Sequence, residues 1–124
     1  MGLRYFGLRV TNLERSLDFH TELLGLGVRR RGKMYHGGKR VLLGDPRTHQ
    51  RLELNWYPED SPYVNKYEPG ESLDHIGFAV SNPASTFKEL IKAGVEPALA
   101  PGDKNGVRGV YYVKDPDENW IEFF

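Results

Sequence analysis

Along the first dozen residues apolar and other side chains alternate: Phe6, Leu8 and Val10 are separated by Tyr5, Gly7 and Arg9. A period of two predicts a strand with unlike faces. Leu13, Leu17, His20 and Leu24, with Leu23, then recur at helical spacing. Thr11 followed by Glu14 reads as a capping box, and Gly25 as the residue that closes the helix. Three short strand candidates follow, around Val28 to Lys33, Arg40 to Gly44 and Arg51 to Trp56. They are divided by His36-Gly37-Gly38, read as a hairpin turn, and by Asp45-Pro46.

The same pattern then returns. Leu3-Arg-Tyr-Phe-Gly-Leu-Arg-Val-Thr-Asn12 reappears as Leu73-Asp-His-Ile-Gly-Phe-Ala-Val-Ser-Asn82, with Leu, Gly, Val and Asn in register. Asn82 and Pro83 suit the start of a second helix, Phe87, Leu90 and Ile91 supply its apolar stripe, and Gly94 ends it. The helical pattern of each copy runs into Gly-Val, at Gly27-Val28 and Gly94-Val95. Strand candidates follow around Glu96 to Ala100, Val107 to Lys114 and Trp120 to Phe124, with turns at Gly102-Asp103 and Asp115-Pro116-Asp117. The expected fold is α+β: two tandem βαβββ modules forming a cupped mixed sheet. The modules are expected at 1–57 and 73–124, joined by a linker over 58–72 that carries Pro58, Pro62, Pro69 and Gly70, the whole making one domain over 1–124. One such module alone would bury too little surface to be stable, so the halves are expected to pack together or against a second chain.

Charge and composition narrow the chemistry. Seventeen basic residues balance seventeen acidic ones, so no summed field draws the chain to nucleic acid or to anionic lipid. Cysteine is absent, which excludes disulfides, thiolate metal sites and a cysteine nucleophile; any metal must sit on nitrogen and oxygen. With no apolar leader at the start and no membrane-length apolar run, a cytoplasmic protein acting on a small molecule is expected.

If each helix covers one sheet face, the alternation turns Tyr5, Gly7 and Arg9, and in the repeat His75, Gly77 and Ala79, to the other, cupped face. The last strands add Glu53, between Leu52 and Leu54, and Glu122, between Ile121 and Phe123. An imidazole, two carboxylates and a phenol at repeat-equivalent positions are expected to converge when the two cups meet. Imidazole with carboxylates suits Ni²⁺, Zn²⁺, Mn²⁺ or Fe²⁺. Taken singly these residues read as solvated strand side chains; two glutamates repeated inside apolar strands call for a charge partner or a metal. His20 reads as a half-buried packing residue, His36 and His49 as solvated, and Arg29, Arg30, Arg31 and Lys33 as one solvated strand face.

With those residues in view, the chain resembles the vicinal oxygen chelate superfamily of glyoxalases, bleomycin-resistance proteins and dioxygenases, and within it the glyoxalase I (lactoylglutathione lyase) branch. The resemblance rests on four segments in order: Leu8 to Gly25, Leu52-Glu-Leu-Asn-Trp56, Asp74-His-Ile-Gly-Phe-Ala-Val80 and Asp115-Pro-Asp-Glu-Asn-Trp-Ile-Glu122. It implies one divalent metal on Tyr5, Glu53, His75 and Glu122, with Glu122 as the base and Glu53 as a partner base. The family usually has His or Gln where this chain has Tyr5, and Gly where it has Glu118. The resemblance further implies substrate contacts from Arg9, Asn55, Lys104 and Arg108, a thiol adduct as substrate, and a homodimer. The same scaffold also carries metal-free binding modules and dioxygenases; in a binding module Tyr5, Tyr112 and Trp120 would line the pocket.

Overall fold

The computed structural model describes residues 5–34, 37–62, 73, 75–103 and 108–124. The chain divides into two compact units, one on either side of residue 67. Both follow one plan. In the first, strand β1 (Phe6–Arg9), helix α1 (Leu13–Asp18), β2 (Gly27–Lys33), β3 (Lys39–Gly44) and β4 (Arg51–Trp56) form a sheet in the order β1-β4-β3-β2. In the second, β5 (His75–Phe78), α2 (Pro83–Lys92), β6 (Pro97–Leu99), β7 (Tyr111–Lys114) and β8 (Trp120–Phe123) give the order β5-β8-β7-β6. The first strand of each unit lies parallel to the last and the other pairs are antiparallel, so both sheets are mixed, as the βαβββ order requires.

Each sheet has a helix face and a far face. On the first, Leu8, Val41 and Leu54 stand in one cross-strand row and are buried, together with Leu13 and Leu17 of α1. The Trp56 indole N–H donates to the Thr11 carbonyl at 3.1 Å, tying β4 to the start of α1. Phe6 belongs to the same face but is 62 % exposed, because it opens its strand in a row that ends in exposed Val28. On the second sheet Ile121 and Phe123 are buried, Phe78 packs on Phe123, and Phe87 of α2 stacks on Tyr111 with ring centroids 5.3 Å apart.

Four local features depart from the sequence expectations. The cap of α1 is Asn12 rather than Thr11: its side chain accepts from the Arg15 amide at 3.1 Å, as Asn82 accepts from Ser85 at 3.0 Å. The first helix continues into a π-helical turn, Phe19–Leu23, closed by the Leu24 amide donating to the Phe19 carbonyl. Thirteen positions separate Asn12 from Gly25, against twelve between Asn82 and Gly94, and the π turn absorbs the extra residue. Gly25 and Gly94 both take positive φ, so Gly25, not Gly27, is the counterpart of Gly94. Finally, β7 begins at Tyr111 rather than near Val107, which lies outside the described residues.

The β3–β4 and β7–β8 turns each hang on an aspartate. Asp45 accepts from the amides of Arg47 and Thr48, and the Arg47 bond holds its carboxyl below the ordinary 3.8. Asp115, buried, accepts from the amides of Asp117 and Asn119 and from the Asn119 side chain. His49 and Glu118 take φ near +60° to +70° in these turns, so Glu118 adopts the conformation that glycine would adopt more readily.

Candidate metal and substrate site

The far faces carry the candidate chemistry, and register assigns it. Gly7 stands opposite Glu53, and Gly77 opposite Glu122, so the two modules use the same cross-strand pair. A methyl group on Gly77 would come within 3.2 Å of a Glu122 carboxylate oxygen and 3.1 Å of the Phe124 ring; one on Gly7 would meet the Asn55 amide at 3.1 Å. Both glycines therefore leave room for the side chains of the neighbouring last strand.

In the second unit His75 Nε2 lies 3.3 Å from Glu122 Oε2, while the Tyr112 hydroxyl donates to Glu122 Oε1 at 2.9 Å. The His75 ring meets Tyr112 edge to face, and Tyr112 packs on Trp120. Tyr112 thus fixes which carboxylate oxygen turns toward the imidazole. The binding-module alternative made Tyr112 a pocket aromatic; its role beside Glu122 follows from the antiparallel register, which sets it directly opposite.

In the first unit Glu53 is buried and its Oε2 lies 3.6 Å from Arg40 Nη1. A cavity of about 150 Å³ is lined by Tyr5, Arg30, Arg31, Arg40, Leu42 and Glu53, which brings two predicted site residues together. Both glutamates, Glu53 buried and Glu122 half-buried, have charged or hydrogen-bonding neighbours, so their place in apolar strands does not by itself demand an ion. Among the described residues no three His, Asp or Glu side chains group as metal donors; the second unit offers the pair His75 and Glu122, and in the first Glu53 shares a cavity with Tyr5. The donor chemistry nonetheless fits. Two ligands at about 2.1 Å from one first-row ion at tetrahedral to right angles stand about 3.0–3.4 Å apart, and His75 and Glu122 are already at 3.3 Å.

The other predicted residues are more dispersed. Arg9 lies with its guanidinium 5.1 Å from the Tyr57 ring centroid, a cation–π contact. Asn55 is on the far face beside Gly7. Arg108 is exposed in a turn, and Lys104 and His36 fall outside the described residues. His49 is exposed, as expected, but His20 is fully buried rather than half-buried, its Nδ1 2.8 Å from the Ser16 carbonyl.

The basic run of β2 does not share one face. The pairing shifts between Val28, opposite Leu43, and Arg30, opposite Leu42, so Arg29 is the extra residue of a β-bulge. Arg29 and Arg30 consequently both turn to the far face, whereas Arg31 turns to the helix face and pairs with Glu14 at 3.7 Å.

Comparison with known proteins agrees with this architecture. The profile of the Glyoxalase/Bleomycin resistance protein/Dioxygenase superfamily matches residues 2–123. Lactoylglutathione lyase of Neisseria meningitidis (strain Z2491) is 34% identical over 130 residues, covering 99% of this chain and 89% of the relative. The lactoylglutathione lyase of Escherichia coli O157:H7 is 31% identical over 128 residues, covering 98% and 90%. The trypanothione-dependent glyoxalase I of Leishmania major superposes with a TM-score of 0.78 at 26% identity, covering 100% of this chain and 86% of that one. The manganese complex of the fosfomycin resistance protein FosX of Listeria monocytogenes, at 20% identity, TM-score 0.67 and coverage of 98% and 89%, shares the fold. With its two βαβββ modules and a match along nearly its whole length, the chain belongs to the Glyoxalase/Bleomycin resistance protein/Dioxygenase superfamily and is a glyoxalase I-like member of it.

Proposed function

We propose that this protein is a metal-dependent lyase that converts the hemithioacetal of methylglyoxal and a thiol into a 2-hydroxyacyl thioester. The observation that carries the reading is the His75–Glu122 pair at 3.3 Å, with Tyr112 fixing the carboxylate, in a chain 34% identical to a lactoylglutathione lyase. Tyr5, Glu53, His75 and Glu122 would hold one divalent ion, of nickel, zinc, manganese or iron. That ion would supply Lewis acidity to the two substrate oxygens.

Glu122 is the base. It takes the proton from the carbon that bears sulfur and hydroxyl and returns a proton to the neighbouring carbonyl carbon, while the hydroxyl proton passes to the former carbonyl oxygen, so the isomerisation gains and loses no atom. The Tyr112 hydroxyl on Oε1 restrains the carboxylate rotamer. Glu53 is the second carboxylate of the set and its partner base. Arg9 and Asn55, on the far face of the first sheet, and Lys104 and Arg108 in the second module contact the substrate, with the arginines suited to its anionic groups. The two modules work as one domain over 1–124 in a cytoplasmic homodimer.

The test is metal content and hemithioacetal isomerase activity on one preparation, stripped and reloaded in turn with nickel, zinc, manganese and iron. About one metal per site is expected, with turnover reduced roughly 10²–10⁴-fold in Glu122→Gln. No bound metal under any loading would overturn the reading in favour of a metal-free small-molecule binder, for which exposed Trp120 and Phe124 beside Tyr112 and Gly77 supply an aromatic surface.

A further inference from the structure

The far face of the first sheet concentrates positive charge in a chain whose net charge is zero. Register puts Arg51 beside Gly44, then Arg30, Leu42, Glu53 and Gly7 in one row, then Gly32, Arg40, Asn55 and Arg9 in the next. With Arg29, displaced onto this face by the bulge, five of the chain's ten arginines share it, and Glu53 is the single acid at its strand positions.

Arg29, Arg30 and Arg51 are exposed and Arg9 and Arg40 half-buried, but two of these side chains run along the sheet. A methyl group on Gly32 would lie 3.1 Å from Arg40 Nε, and one on Gly44 only 2.7 Å from Arg29 Nε, so both side chains lie flat across a glycine. Arg30 and Arg40 are diagonal cross-strand neighbours, and both line the cavity of about 150 Å³. Both are cations on one face, and the one carboxylate at these strand positions, on Glu53, is 3.6 Å from Arg40 and answers only one of them.

We propose that Arg30 and Arg40 form an oxyanion-binding site that takes a carboxylate or phosphate group of a small molecule in the cavity beside Tyr5, Leu42 and Glu53. Two guanidinium forks present paired N–H donors, the geometry that carboxylate and phosphate oxygens match. Arg31 also lines the cavity, but its guanidinium pairs with Glu14 at 3.7 Å on the helix side, so it is not one of the two donors. The site is distinct from Arg9, which lies over Tyr57. It goes beyond the lyase reading, because binding here needs neither a metal nor turnover.

The experiment is calorimetric titration of the metal-stripped full chain with inorganic phosphate and, separately, with succinate, at ionic strength held constant with sodium chloride. Saturable binding of one or both is expected, and which probe binds assigns the oxyanion. Arg30→Gln and Arg40→Gln should each weaken it about tenfold or more, Arg30→Lys and Arg40→Lys by less, and Arg47→Gln, in the β3–β4 turn outside the cavity, not at all. The lysine variants keep the charge and so keep the test valid if the glutamine variants fail to fold. Absence of saturable binding for both probes, or equal weakening by Arg47→Gln, would overturn the proposal.

Discussion

The row that runs Gly7, Glu53, Leu42 and Arg30 in the first sheet runs Gly77, Glu122, Tyr112 and Leu99 in the second. Glycine and glutamate hold their places while the flanking positions diverge: guanidinium groups surround Glu53, whereas an imidazole and a phenol surround Glu122. The centres of the helix faces show no such divergence, since Leu43 and Leu54 in the first sheet and their counterparts Val113 and Phe123 in the second are all buried. Packing constrains the helix face because every methylene there is felt; the far face is constrained only by what it binds. Equivalent positions on the far face thus report on chemistry, and those on the helix face on stability.

That contrast can be broken in order of expected effect. Leu54→Ala and Phe123→Ala truncate equivalent, buried helix-face positions and should destabilise by about 2–5 and 3–5 kcal/mol. Urea unfolding followed by near-ultraviolet circular dichroism measures both, and a loss below 1 kcal/mol in either would end the equivalence of the two cores. Gly77→Ala should destabilise by about 1–3 kcal/mol and lower turnover, because the new methyl group meets Phe124 and Glu122. Gly7→Ala should do less, since the tip of Asn55 alone has to move; steady-state kinetics and thermal melting on the pair decide it. Glu118→Gly should raise stability, by under about 1 kcal/mol, as relief of the left-handed strain exceeds the added chain entropy. A lower melting temperature would show that Glu118 contributes a contact that outweighs its strain.

The βαβββ order, the two helices and the faces of β1, β4, β5 and β8 were legible because apolar residues set the phase of each alternation. The bulge in β2 was not: Arg29, Arg30 and Arg31 offer no apolar position from which a change of phase could be read. Nor was the partner of Glu53, which depends on an antiparallel register that places Arg40 opposite Asn55. The α1 cap was within reach, since the repeat aligns Asn12 with Asn82, but the capping box spaced from Thr11 competed with it.

The π turn at Phe19–Leu23 acts as a buffer between two registers. A one-residue slip passed on to a strand flips every side chain to the opposite face, which in β2 to β4 would exchange Glu53 for Leu54. Winding the extra residue into the helix confines its effect to one turn, and Gly25 then resumes the conformation of Gly94. The first module is therefore one residue longer than the second in its helical segment while its sheet keeps the same pairing of glycine and glutamate, and length changes in this scaffold are tolerated where a helix can coil them away.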